Sequence, residues 1–239
     1  QDGPDAKGAL ESHEMDGLDR QMSVLELLDA LNEKLVDEGR EPVAFESDCR
    51  EGICGACGVT VDGRPHGPEA NVPSCHQRLV KFQDGSTVKI EPLRSASYPV
   101  IRDLMVDRGS LDDVIRAGGH VAVNAGTAPD AETTPIGHEE VELSLDFAAC
   151  IGCGACVAAC PNGSAHLFAG AKLMHLALLP LGSVERTRRA RSIVSEIEKD
   201  FGPCSNYGEC AAVCPAGIPL TAVAAVNRER LRAAFQRKM

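Results

Sequence analysis

Apolar residues at positions 24, 25, 27, 28, 31 and 35 recur along one helix face, with Ser23 before them and Glu26 three residues later as a capping box. The pattern predicts a helix over Val24–Leu35. Short alternating segments at Val59–Val61 and Thr87–Ile90, bounded by Asp62-Gly63 and Asp84-Gly85, predict strands joined by turns. After Pro92 to Pro99, Val100–Val106 is apolar at 100, 101, 104 and 105, which predicts a helix or a crossing segment. From Gly118 to Pro135 the chain is rich in Gly, Ala, Thr and Pro without a period, the composition of a connecting loop. Helical periodicity returns over Val141–Ala149, Val184–Lys199 and Pro219–Phe235. The chain therefore divides into a small sheet packed on one helix, residues 1–106, and a set of helices separated by cysteine-bearing loops, residues 107–239.

At 239 residues, the chain can build two modest domains, each with its own core. Six Phe, two Tyr and no Trp leave the usual aromatic filling sparse, so the fold is expected to depend on bound metal as an internal cross-link. The longest apolar stretch, Ala171–Gly182, is interrupted by Lys172 and His175 and falls short of the roughly 20 residues a membrane helix needs. The chain is not expected to cross a bilayer. Residue 1 is Gln, so the natural chain is expected to begin earlier. A net charge of −11 disfavours a nucleic-acid partner, which would need a clustered basic surface, and none is expected. Arginines nevertheless gather at 186, 188, 189 and 191, and again at 228, 230, 232 and 237 with Lys238, either as a solvated helix face or as a contact for a membrane subunit or anionic headgroups.

The chemistry lies in eleven cysteines arranged in three runs. Cys49-x4-Cys54-x2-Cys57 with the distant Cys75 is the plant-type ferredoxin spacing for a 2Fe-2S cluster. Gly52, Gly55 and Gly58 alternate with these ligands, letting the loop curl and aim N–H groups at sulfur. A zinc site is the rival for such spacing. Cys150-x2-Cys153-x2-Cys156-x3-Cys160-Pro161 is the bacterial run whose last cysteine serves the other cluster of a pair. By that crossing rule Cys150, Cys153, Cys156 and Cys214 hold a 4Fe-4S cluster, leaving Cys160, Cys204 and Cys210 for the last centre. A regular run would place a cysteine at 207, where Tyr207 stands, and three thiolates imply a 3Fe-4S cluster. The alternative is a 4Fe-4S centre completed by the Tyr207 phenolate or by solvent. An odd count in tight runs argues against disulfides, and thiolate ligation favours a reducing compartment, placing the chain on the cytoplasmic side.

Other features carry less. Asn162-Gly163-Ser164 reads as a chance sequon beside a cluster cysteine, and His76 as an ordinary histidine. His166 and His175 fall on the helix after Cys160, as satisfied histidines or as contacts to haem or quinone. No catalytic triad, HExxH, phosphate loop or complete GxGxxG is present, so no catalytic residue is assigned and any flavin must sit on another chain.

Cys49-Arg-Glu-Gly-Ile-Cys54-Gly-Ala-Cys57, Pro99-Val-Ile-Arg-Asp-Leu-Met-Val-Asp107 and Cys150-Ile-Gly-Cys153-Gly-Ala-Cys156 through Cys160-Pro161, closed by Cys204, Cys210 and Cys214-Pro215, together span nearly the whole chain. In this order they resemble the iron–sulfur subunit of succinate dehydrogenase and fumarate reductase. The resemblance implies an α+β protein with an N-terminal β-grasp 2Fe-2S ferredoxin-like domain and a C-terminal all-α, bacterial-ferredoxin-like domain. It implies electron transfer in a membrane-bound succinate:quinone oxidoreductase, complex II of the respiratory chain and tricarboxylic acid cycle. An FAD-containing flavoprotein would lie on the Cys75 side, and a membrane anchor with haem b and quinone beyond the last centre. The chain would then be peripheral, on the cytoplasmic face of the cell membrane.

Several residues depart from the family pattern. Seventeen residues separate Cys57 from Cys75, an expected insertion around Gly67–Pro73. Ala165 and Ser205 stand where many members have a tryptophan and a histidine near quinone. The text from Cys160 to Lys172 resembles the branch with a single dihaem cytochrome b anchor. Gln1-Asp-Gly-Pro resembles the turn after the family's opening strand, which this chain is expected to lack. A quinol:fumarate reductase would use the same relay in reverse. Iron–sulfur subunits of glycolate, glycerol-phosphate or heterodisulfide oxidoreductases share the Cys-Pro runs but generally lack the plant-type run, and a soluble redox carrier or sensor is the non-enzymatic alternative.

Overall fold

The structure, a computed structural model, describes residues 3–123 and 134–236. The aperiodic stretch predicted from Gly118 to Pro135 falls largely outside the described residues, at 124–133. Its first part is not loose chain, because Ile115–Gly119 forms a π-helical turn.

The first helix, α1 (Val24–Asp37), begins at the expected capping box: the Glu26 N–H donates to Ser23 Oγ at 3.2 Å and the Ser23 N–H to Glu26 Oε2 at 2.6 Å. It buries Val24, Leu25, Leu28, Leu31 and Leu35. Val24, Leu25 and Leu28 join a core with Val59, Val61 and Leu104, each buried leucine contributing about 1.5–3 kcal/mol.

Strands β1 (Val59–Val61), β2 (Arg64–Pro65) and β3 (Ile90–Pro92) form an antiparallel sheet in the order β2-β1-β3. Asp62 and Gly63, with φ of 49° and 79°, make the tight turn between β1 and β2. The strand expected at Thr87–Ile90 starts later, because Val61 pairs with Ile90 and the bulk of the ladder runs on to Pro92. Before it, Asp62 closes the end of the sheet by accepting the Lys89 N–H on its carboxylate at 2.8 Å.

The segment expected to be helical or crossing at Val100–Val106 is instead a hairpin, β4 (Val100–Arg102) with β5 (Met105–Val106). Asp103 turns it with φ of 46°, and its carboxylate accepts the Ala44 N–H at 3.0 Å while the Leu104 N–H donates to the Ala44 carbonyl at 3.0 Å. Tertiary hydrogen bonds and a left-handed turn thus override a spacing that reads as helical.

The second half is built from α2 (Gly109–Val114), α3 (His138–Ala148), α4 (Ala155–Ala158), α5 (His166–Ala177), α6 (Ser183–Asp200), α7 (Glu209–Ala212) and α8 (Thr221–Phe235). Helix α5 is buried along most of its length and touches α8 where a Cβ on Gly170 would run into the Ala222 carbonyl. The main core draws Leu93, Tyr98, Val100 and Val106 into contact with Leu111, Val114, Val157, Phe168 and Ile193, so both halves of the chain share it. None of the described helices is long and apolar enough to cross a membrane.

Three of the four α6 arginines depart from both expectations, whereas Arg188 is half exposed and Arg228, Arg230 and Arg232 on α8 are exposed, as a solvated face is. Arg189 is only 1% exposed and donates to Glu185 at 2.8 Å and to the carbonyls of Gly118, His120 and Ala122. Arg186 grips the buried Glu229 of α8 with bonds of 2.6 and 2.5 Å, and Arg191 donates to the Ala233 and Gln236 carbonyls. These charges fasten α6 to its neighbours instead of facing solvent or lipid. Arg237 and Lys238 lie outside the described residues.

Candidate metal centres

The loop from Cys49 to Cys57 carries three left-handed residues, Arg50, Gly52 and Gly55, with φ of 53°, 74° and 74°. The resulting curl aims the N–H groups of Glu51, Ile53 and Cys54 at Cys49 Sγ, 3.4, 3.4 and 3.3 Å away, and that of Ala56 at Cys54 Sγ, 3.4 Å away. These amides, led by Glu51, bring the Cys49 thiol down to about 7. Cys57 is pushed up to about 12 by burial, with the Cys75 thiol beside it adding to the shift.

Cys75 sits on a one-turn 3-10 helix, Ser74–His76, whose surroundings fix it in place. Ser74 Oγ accepts the Val59 N–H at 3.4 Å and pairs with His66 Nδ1 at 3.0 Å. The Gly67–Pro73 insertion folds around the fully buried Gln77, which donates to the Glu69 and Val72 carbonyls at 2.9 and 3.3 Å and accepts the Glu69 N–H at 3.2 Å. The long loop is therefore anchored on both sides of the cysteine. No sequence pattern points to His66, Ser74 or Gln77; Ser74 and Gln77 are marked only by the polar residues flanking Cys75, and His66, on the far side of the insertion, by nothing.

In the second run, Cys150, Cys153 and Cys156 line a recess together with Cys214 from the far run. Burial pushes the Cys153 thiol up to about 12 and raises Cys156 and Cys150 as well, while the Lys172 ammonium opposes the shift at Cys150. Lys172 is held there by donating to the Cys150 carbonyl at 2.8 Å. The Ile218 N–H points at Cys214 Sγ, 3.4 Å away.

A second recess is lined by Cys160, Cys204 and Cys210. The Asn206 N–H points at Cys204 Sγ, 3.4 Å away, and Asn206 and Gly208 turn the loop with φ of 58° and 89°. Tyr207 lines the same recess but is 61% exposed. Asn162, whose sequon looked idle, donates to the Pro203 carbonyl at 2.9 Å and to Ser205 Oγ at 2.8 Å, tying the Cys160 turn to the Cys204 turn. His166 lines this recess and pairs through Nδ1 with Ser164 Oγ at 2.8 Å, whereas His175 lies away from it.

Among the described residues no three His, Cys, Asp or Glu groups close on one point as around a single ion. The thiols instead ring recesses, four in one and three in the other. A buried thiol pushed up to about 12 becomes a thiolate only against positive charge, and metal coordination supplies it. Spaced thiols, amides directed at sulfur and apolar walls from Leu167, Phe168 and Ile218 make a donor set that fits iron–sulfur clusters.

Comparison with known proteins agrees with that chemistry. A 2Fe-2S iron–sulfur cluster binding domain matches residues 1–113, and a 4Fe-4S dicluster domain matches residues 149–218. The succinate dehydrogenase iron–sulfur subunit of Bacillus subtilis is 28% identical over 205 residues, 83% of this chain and 76% of that protein. The fumarate reductase iron–sulfur subunit of Escherichia coli O6:H1 is 30% identical over 193 residues, 79% of this chain and 74% of that protein. A chain of the Mycobacterium smegmatis Sdh1 complex in the apo form shares the fold, with a TM-score of 0.62 over 91% of this chain and 86% of that one at 24% identity. With both cluster domains matched in order and a relative of this likeness spanned over most of its length, the chain belongs to the family of succinate dehydrogenase and fumarate reductase iron–sulfur subunits.

Proposed function

We propose that this chain is the electron-transfer subunit of a membrane-bound succinate:quinone oxidoreductase, passing electrons singly between a flavoprotein and a membrane anchor. Cys49, Cys54, Cys57 and Cys75 would hold a 2Fe-2S cluster, Cys150, Cys153, Cys156 and Cys214 a 4Fe-4S cluster, and Cys160, Cys204 and Cys210 a 3Fe-4S cluster. When bound, these clusters supply one-electron oxidation and reduction without breaking any substrate bond. The thiolates bind, the directed amides favour the negative charge on sulfur, and the apolar walls keep water out.

The observation that carries the proposal is the serial placement of the three thiol groups. Gly55 of the first loop lies against Ile151 and Cys153 of the second, and Leu167 on α5 lines both the second and third recesses. One layer of chain thus separates each site from the next, as a relay requires. The two units at 1–106 and 107–239, an FAD-bearing partner, a dihaem cytochrome b anchor and attachment on the cytoplasmic face complete this reading. The anchor assignment is supported by the resemblance of the text from Cys160 to Lys172 to the dihaem-anchor branch, and Ala165 stands where many family members have a quinone-contacting tryptophan. The reverse direction, quinol to fumarate, uses the same residues.

The test is anaerobic addition of succinate to the complex purified through a tag on this chain. The visible absorbance of the clusters should bleach and return on adding fumarate to the reduced complex. Clusters that respond to dithionite yet to neither dicarboxylate would contradict the assignment.

A further inference from the structure

Arg108 stands where the first two thiol-bearing loops meet, and no cysteine pattern points to it. Its side chain is 18% exposed. One guanidinium nitrogen donates to the Gly55 carbonyl at 2.7 Å and to the Cys153 carbonyl at 3.0 Å. The other donates to the Ala56 carbonyl at 3.1 Å and to Glu46 Oε2 at 2.9 Å. A planar fork with fixed donor directions suits this four-acceptor arrangement, which a lysine ammonium cannot reproduce.

Both loops are held at contact distance here. Gly55 has φ of 74°, and a Cβ there would strike the Ile151 carbonyl and approach the Cys153 nitrogen at 3.0 Å. The carbonyls to which Arg108 donates belong to Gly55 and Ala56, between the ligands Cys54 and Cys57, and to Cys153 itself.

We propose that Arg108 is a positioning residue for electron passage: it locks the Cys49–Cys57 loop against the Cys150–Cys156 loop and places a positive charge between their two centres. The inference rests on the ligand sets proposed above. Reducing either centre adds one electron, and a nearby cation favours that added negative charge. Arg108 therefore raises the reduction potentials of the first two centres, Glu46 tempers the effect, and the Cys160 site, to which Arg108 makes none of these bonds, is left untouched.

The experiment is a redox titration followed by EPR on the assembled complex, for wild type, Arg108→Gln, Arg108→Lys and Glu46→Gln. Arg108→Gln should lower both the 2Fe-2S and 4Fe-4S midpoint potentials while leaving the 3Fe-4S potential in place. Glu46→Gln should move the same two upward. Arg108→Lys should keep the two potentials yet weaken the magnetic interaction between the two reduced centres, because the charge stays and the fork is lost. If Arg108→Gln prevents assembly, the opposite-signed Glu46→Gln shift and the Arg108→Lys coupling decide the matter. Unmoved potentials in Arg108→Gln and Glu46→Gln, or equal shifts at all three centres, would overturn the proposal. A wild-type complex without three centres would sink the ligand sets instead, so the two failures are distinguishable.

Discussion

Gly55 lies so close to Ile151 that any Cβ at position 55 would collide with the Ile151 carbonyl oxygen. The obstacle is backbone, so no rotamer change relieves it, and φ of 74° adds about 1–2 kcal/mol for an L side chain. Gly55→Ala should therefore lower thermal stability by at least that much and weaken the magnetic interaction between the first two centres in EPR. Wild-type stability and unchanged coupling would show that the loops do not meet there.

Gln77 predicts a second effect on the first site. It is fully buried, and its amide holds the insertion through Glu69 and Val72. Gln77→Ala strands the Glu69 amide and frees two carbonyls, a loss of about 2–3 kcal/mol. The 2Fe-2S occupancy, measured by EPR spin quantitation after reduction, should fall relative to that of the 3Fe-4S centre. Equal occupancies would mean that the insertion does not position Cys75.

How much of this was legible beforehand varies by interaction range. The α1 capping box and the Asp62-Gly63 turn are local, so their residues announce themselves. The cysteine spacing already groups Cys214 with Cys150, Cys153 and Cys156, and these thiols line one recess. Arg108 was invisible because three of its four acceptors are backbone carbonyls, which leave no mark on residue identity. The β4–β5 hairpin departs from the expected helix or crossing segment because apolar positions 100, 101, 104 and 105 also suit a helix, and the deciding bonds reach back to Ala44. The α6 arginines looked like surface charge since their partners, Glu229 and the carbonyls near Gly118, are distant in sequence.

Those arginines predict acid sensitivity. Hydrogen bonds from Arg188 and then Arg189 hold the Glu185 carboxyl down to about 2, below the ordinary 4.5. A depressed folded-state value means that its stabilisation is fully present above pH 4.5 and is lost as pH falls towards 2. Glu185→Gln should cost about 3 kcal/mol near neutrality, because Arg189 stays buried without its carboxylate. The gap between wild type and variant in urea denaturation should narrow as pH drops from 4.5 towards 2. A gap that is independent of pH would rule out an ionised Glu185 as the source.

Tyr207 predicts a change of cluster type. It lines the recess of Cys160, Cys204 and Cys210 at the position where a regular run has its second cysteine, the one that would complete this centre's ligand set. Tyr207→Cys should convert this centre towards 4Fe-4S, removing the EPR signal of the oxidised state and shifting the centre's potential. An iron-replete variant with an unchanged spectrum would show that position 207 does not face the cluster.

The partition of eleven thiols into four, four and three is tested most directly by EPR of the intact wild-type complex during a reductive titration. Three distinguishable centres should be seen, two becoming paramagnetic on reduction and one already paramagnetic when oxidised, as a 3Fe-4S cluster is. Absence of that oxidised-state signal in iron-replete complex would contradict the three-thiolate site.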